Sequence, residues 1–293
     1  MWRRLLSSSL SCGFSPLVLG SKIKHYHFQG VRPYLEGDLI QEWLVSSFLK
    51  TKEYQLYSRN PAKNEFKLLS LPEPVEELYK SQAILSFEFE STYTAGKREK
   101  INHNQPLKFQ KLQLEKNIKL IQTSRGGQIT YHGPGQCVIY PILDLSLFKK
   151  LTSKCYVSTI EKTMKLVLQN RFGISTITNE NTGIWIDDNL KISSIGCNVR
   201  RWITSHGISV NVNPDLKFMN DEDLVICGLP GKRQTSIKEQ LQCKDTDLDL
   251  FEVATIFSDK LANKLGVSDV EHYKVEKRFN NTNVNELKNL FFS

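Results

Sequence analysis

The stretch Gly183-Ile184-Trp185-Ile186-Asp187-Asp188-Asn189-Leu190-Lys191-Ile192-Ser193-Ser194-Ile195 carries two short apolar runs, 183–186 and 190–195, separated by Asp-Asp-Asn. Asp and Asn side chains bond their own backbone and tolerate left-handed turns, so this pattern predicts an antiparallel hairpin. Parallel strands need long helical crossovers instead. The hairpin therefore argues against a doubly wound parallel sheet and for an α+β fold, with mixed or antiparallel sheets flanked by helices.

Working outward, Ile208, Val210 and Val212 alternate with Ser209 and Asn211 as another strand. Residues 118–122 and 137–145 are apolar runs flanking a glycine-rich segment and read as strand, loop, strand. Thr152 or Ser153 opens a helical pattern through Val157, Ile160, Met164 and Val167 that stops near Gly173. Ser236 and Glu239 fit a capping box, and Phe251, Ala254, Phe257, Leu261 and Leu265 predict a late helix ending before Gly266. Towards the N-terminus, Leu85, Phe87 and Phe89 alternate with Ser86, Glu88 and Glu90, which predicts a half-exposed strand. Leu39, Ile40, Trp43, Leu44 and Phe48 behind Asp38 predict an amphipathic helix.

The 293 residues are 40% apolar and 24% charged, enough for a sizeable core and unlike a disordered or fibrous chain. No run approaches the roughly 18 apolar residues of a membrane span. Six scattered cysteines, with no CxxC pair, give no sign of a disulfide framework or structural zinc. The net charge of +8 is partly local. Residues 1–35 contain Arg3, Arg4, Lys22, Lys24 and Arg32 and no acid, leaving 34 basic residues against 31 acidic ones in a nearly neutral body. The Ser-rich, acid-free opening reads as a mitochondrial presequence over 1–35, ahead of a single domain over 36–293. A disordered basic tail is the alternative.

Chemistry is expected first in Arg125-Gly126-Gly127-Gln128-Ile129-Thr130-Tyr131-His132-Gly133-Pro134-Gly135-Gln136. Its four glycines let backbone run close to a ligand while one guanidinium and one imidazole are aimed at it. An ordinary turn with a hydrogen-bonded histidine competes with that reading. Gly228-Leu229-Pro230-Gly231-Lys232-Arg233 fails as a P-loop, because Arg233 stands where Ser or Thr would hold magnesium.

Together RGGQITYHGPGQ at 125–136, GIWIDDNLKISSIGCNVRRWITSHGISVNVN at 183–213 and ICGLPGKRQTSI at 226–237 resemble the lipoyl(octanoyl) transferases. The resemblance runs in order from about Tyr93 to Ile237. It implies the biotin/lipoate ligase-like fold and a mitochondrial enzyme that moves an octanoyl group from octanoyl-acyl carrier protein to a lysine of a lipoyl domain, through a cysteine thioester. Its implied acceptors are the apo lipoyl domains of 2-oxo acid dehydrogenase complexes and the glycine cleavage H protein. It also implies a monomer with no cofactor, no metal, no membrane and no nucleic-acid partner.

By the same matching the nucleophile falls on Cys227 and the essential lysine on Lys191. The acyl pocket and substrate contacts fall on Arg125, Gly126, Gly127, Gln128, Ile129, Thr130, Tyr131 and His132, on Ser194, Ile195 and Gly196, and on Gly207, Ile208 and Ser209. A free thiol is only a few per cent thiolate at neutral pH, so a protonated Lys191 beside Cys227 would promote the nucleophile. Once neutral, the same amine would accept the proton of the attacking lysine. His132 is expected to be catalytic as a hydrogen-bonding wall. Cys197 is the competing cysteine. Arg200 and Arg201 beside Trp202 suggest a basic patch for the acidic carrier. Thioester exchange and thioester-to-amide transfer need no ATP. The rival activities are an ATP-dependent lipoate or biotin-type ligase on the same fold and a noncatalytic basic RNA-binding module.

Overall fold

The computed structural model describes residue 16 and residues 21–58, 81–99, 118–220, 231–242 and 248–292. Its main sheet is mixed. Strand β1 (Lys22–Arg32) runs parallel to β2 (Ser81–Phe89) on one side. On its other side it runs parallel to the late strand β11 (Asp269–Val275). From β2 the sheet continues antiparallel through β6 (Gln136–Ile142), β9 (Ile203–Asn211) and β8 (Leu190–Arg200). It ends on β10 (Arg233–Gln234), parallel to β8, and β7 (Ile184–Trp185) forms the expected hairpin with β8. A smaller sheet places β3 (Thr92–Ala95) between β4 (Lys119–Gln122) and β5 (Ile129–His132). This is the α+β arrangement that the hairpin predicted.

Helices cover both faces of the main sheet, so β2 alternates without reaching water. Leu85, Phe87 and Phe89 pack towards α1 (Tyr34–Ser58), in one core with Ile40, Leu44 and Phe48. Ile84, Ile139 and Ile208 pack on the other face, against α2 (Ser153–Phe172) and α4 (Leu250–Leu265). Both of these helices stop where their caps dictate. Thr152 Oγ1 accepts from the Cys155 N–H, Asp249 accepts from the Phe251 N–H, and Gly173 and Gly266 close the C-termini with φ of 68° and 74°. In the short helix α3 (Ile237–Leu241) Ser236 Oγ accepts from the Glu239 N–H, but the Glu239 carboxylate takes the Thr235 hydroxyl.

The N-terminal expectation needs correction. Residues 22–32, which fall inside the expected leader, form a strand one place in from the sheet edge, and α1 begins at Tyr34, behind Pro33, rather than after Asp38. Arg32 is fully buried and pairs with Glu36, and its guanidinium also donates to the carbonyls of Val275, Glu276 and Lys277. Glu36 in turn accepts the Phe279 N–H at 2.9 Å. A basic side chain that read as part of a targeting segment instead ties the first strand to the end of the last.

Candidate active site

β8 and β9 run side by side so that Ser194, Ile195 and Gly196 pair with Ser209, Ile208 and Gly207. These six residues form one wall of a cavity of about 350 Å³. Gly207 has to be glycine: a Cβ there would lie 2.3 Å from the Ile139 carbonyl oxygen and 2.7 Å from Pro141 Cδ. β5 closes the opposite side. Its period of two turns Thr130 and His132 to the cavity and Ile129 and Tyr131 to a separate cluster with Tyr93 and Met219.

Arg125, Gly127 and Gln128 line the same space, whereas Gly126 faces β8 and gives its N–H to the Cys197 carbonyl at 2.9 Å. Of the residues expected to bind substrate, Gly126, Ile129 and Tyr131 thus stand outside the lining. The Arg125 guanidinium is buried and fixed by Thr94, with Nη2 donating to its carbonyl at 2.6 Å and to its hydroxyl at 2.9 Å. Its Nη1 donates to the Gly126 carbonyl at 3.0 Å.

His132 Nδ1 meets Gln136 Oε1 at 2.7 Å. The Gln136 amide nitrogen donates to Asn211 Oδ1 and the Tyr131 carbonyl, so its oxygen is the acceptor and the proton is assigned to Nδ1 of the histidine. Burial, with Arg125 nearby, lowers His132 to about 4, and the ring is neutral at physiological pH.

Lys191 leads into β8 from the hairpin turn and is 3% exposed. Its Nζ donates to the Thr182 carbonyl at 3.1 Å and lies 5.1 Å from the centre of the Trp185 ring. The partner strand β10 brings Gln234 beside Lys191 in register, and Asn220 bonds both the N–H and the carbonyl of Gln234. The two described ends that flank 221–230 therefore meet next to the lysine strand. Cys227 itself lies outside the described residues.

Cys197 is described, and it does not line the cavity: it packs against the core beneath α2 and α4, where burial pushes its thiol up to about 12. Cys137 is buried in the same core, and its thiol is also raised by burial. Arg200 and Arg201 do not present free charge, because Glu42 and Glu53 of α1 pair with them at 2.7 and 2.6 Å.

The cavity has walls that the sequence reading missed. Val138 and Tyr140 reach it from β6, Arg98 from the turn after β3, and Glu180, Asn181 and Thr182 from the approach to β7. His206 faces it at φ 53°, with its N–H given to Gln41 of α1 at 2.6 Å and its Nε2 3.0 Å from the Ser124 hydroxyl. The adjacent segment Ser205-His206-Gly207 carried a signal, a histidine beside a glycine next to the matched wall. The others are brought in by pairings distant in sequence. Among the described residues, no group of three His, Cys, Asp or Glu side chains is arranged to hold a metal ion. No described helix is long and apolar enough to cross a membrane.

Residues 73–262 match the family described as the lipoyl protein ligase A/B catalytic domain. The chain is 35% identical over 281 residues to a protein of Kluyveromyces lactis named mitochondrial octanoyltransferase, covering 87% of this chain and 83% of that one. It is 34% identical over 288 residues to the protein of the same name in Saccharomyces cerevisiae, covering 87% and 85%. Among solved structures it is similar to LipL1 of P. falciparum in complex with lipoate, with a TM-score of 0.59 at 11% identity over 93% of this chain and 71% of that one. At that identity the likeness speaks for the fold alone.

Proposed function

The chain belongs to the lipoyl protein ligase A/B catalytic-domain family, and from that premise we propose that it is a mitochondrial octanoyltransferase that uses Cys227 as a covalent relay between octanoyl-acyl carrier protein and the lysine of a lipoyl domain. The reading is carried by one observation: a buried amine, Lys191, faces a cavity of about 350 Å³ that is also lined by Arg125, His132 and the paired glycines 196 and 207. A space of this size can take a short acyl chain, and the polar side chains in its lining can orient the reacting carbonyl. The names of the relatives supply the octanoyl group and the compartment.

In the first half-reaction the Cys227 thiolate attacks the thioester carbonyl. The bond from carbon to the carrier's sulfur breaks, and the carrier leaves as a thiol with the proton that Cys227 gave up. In the second, the lipoyl-domain amine attacks the Cys227 thioester, a C–N bond forms and the Cys227 sulfur is released. Lys191 in its neutral form takes the proton from that attacking amine. The site's cationic side chains favour both the thiolate and the oxyanion that develops on the carbonyl.

The test is incubation of the full chain with octanoyl-acyl carrier protein and an unmodified lipoyl domain, with and without ATP. Octanoylation of the domain without ATP, and an octanoyl adduct on the Cys227 peptide that Cys227→Ser abolishes, are expected. Strict ATP dependence with activity retained in Cys227→Ser would assign the chain to the adenylating ligases instead.

A further inference from the structure

The segment that walls the cavity at 180–182 is pinned through three backbone groups of residues 181–183. Trp185 Nε1 donates to the Asn181 carbonyl at 3.0 Å, and Lys191 Nζ donates to the Thr182 carbonyl at 3.1 Å. The Gly183 N–H donates to Glu161 Oε1 of α2 at 3.4 Å. The second and third of these bonds use one peptide group, the amide joining Thr182 to Gly183. In a trans amide the carbonyl and the N–H point opposite ways, so the lysine and the carboxylate are held on opposite sides of one planar, resonance-coupled unit. Negative charge at the N–H end increases the electron density on the carbonyl oxygen and strengthens its bond to an ammonium group.

Gly183 makes the close approach possible. It has φ 134°, and a Cβ there would fall 2.4 Å from Lys191 Cε and 2.7 Å from the Ser193 carbonyl oxygen. The lysine stem therefore runs directly against this peptide. Glu161 does not itself line the cavity.

We propose that Glu161 is a positioning residue for Lys191, acting through the Thr182–Gly183 peptide to hold the amine in place and to favour its protonated form. This rests on the reading of Lys191 as the working amine of the site. Glu161 is faced by Lys162 and Lys165 of its own helix and by Lys191 across the peptide; burial raises its carboxyl above the usual range, and the Gly183 N–H and the lysines oppose that rise. Lys191 shares its cavity with Glu180, Arg98, Arg125, His132 and His206. Glu161 is the carboxylate tied to it through a hydrogen-bonded chain.

The test follows trace acetylation of Lys191 by acetic anhydride in the full-length protein against pH, read on the Lys191 peptide by mass spectrometry, since only the neutral amine reacts. Glu161→Gln keeps an oxygen to accept the Gly183 N–H but removes the charge. Its half-maximal labelling is expected about half a pH unit lower than in the parent protein, equivalent to about threefold faster labelling at a fixed pH on the acid side, with an unchanged melting temperature. Glu161→Ala is expected to give the same displacement together with faster hydrogen exchange at the Gly183 amide. Labelling curves of Glu161→Gln and parent that coincide overturn the electrostatic role. Should the variants fail to fold, a Gly183 amide in the parent protein that exchanges as fast as an unprotected peptide overturns the inference. Neither readout involves octanoyl transfer, so a chain without that activity could still pass, and the two readings fail separately.

Discussion

His132 meets its cavity as a neutral ring, with one nitrogen bound to Gln136 and burial holding its protonation near pH 4. It therefore does not change charge across the range in which enzymes of this kind work, and under the proposed function we assign it the part of a hydrogen-bonding wall rather than a proton donor. His132→Gln is expected to lower kcat/KM for octanoyl transfer by about tenfold, the cost of one buried hydrogen bond, while leaving the shape of the pH–rate profile between pH 5 and 8 unchanged. Loss of a limb in that range would make His132 a titrating catalyst. Gly207→Ala tests the opposite wall. Its Cβ would meet backbone rather than a movable side-chain tip, so β6 and β9 would have to part, at an expected cost of about 1–3 kcal/mol in a denaturant titration. Unchanged stability would show that the two strands yield easily.

Among the elements, those that declare themselves in local spacing were legible. The hairpin of β7 and β8 follows from Asp187-Asp188-Asn189, and α2 and α4 run from cap to cap as Thr152, Gly173 and Gly266 require. β1 was not legible, for a physical reason: buried on both faces, it has no alternation with water. Tyr26 and Phe28 turn to the α1 core while His25 and His27 turn towards Phe251 of α4 and share the Ser86 hydroxyl, each at 2.8 Å. Its basic, acid-free composition resembles a leader only because the partners of its charges, Glu36 and Glu271, come later in the chain. In the same way the 180–182 wall depends on Trp185, Lys191 and Glu161, which no local pattern joins. Removal of residues 1–20 is therefore expected to leave the melting temperature within a few degrees of the full chain, and removal of residues 1–35 to prevent folding, as circular dichroism would record. Arg32→Ala leaves the buried Glu36 with the Phe279 N–H and a longer contact to Arg278 in place of its close ion pair, and is expected to cost about 3 kcal/mol. A fully stable 36–293 fragment would refute this account of the N-terminus.

At the scale of the whole molecule, four buried histidines set a pH limit on stability. Burial lowers His25 and His206 to about 3 and His27 and His132 to about 4. The unfolded chain takes up protons at these rings near pH 6.5 and the folded chain does not, so the unfolded state binds more protons between those limits. The stability they contribute is fully present above pH 6.5 and is lost as pH falls towards 4, with each ring costing up to about 1.4 kcal/mol per unit. Between pH 6.5 and 5, above most carboxylate titration, the urea midpoint is expected to fall steadily. A flat midpoint over that interval would show that the rings are solvated. The pairing of β1 with β11 carries a further consequence. The first and last strands lie next to each other, in parallel register from Lys22 with Asp269 to Phe28 with Val275. Such an arrangement cannot be completed while either end of the polypeptide is still inside a ribosome or a translocation pore. Until the segment that carries β11 emerges, this chain presents the side of β1 that awaits it, and a chaperone that shields that open strand would be of most use then.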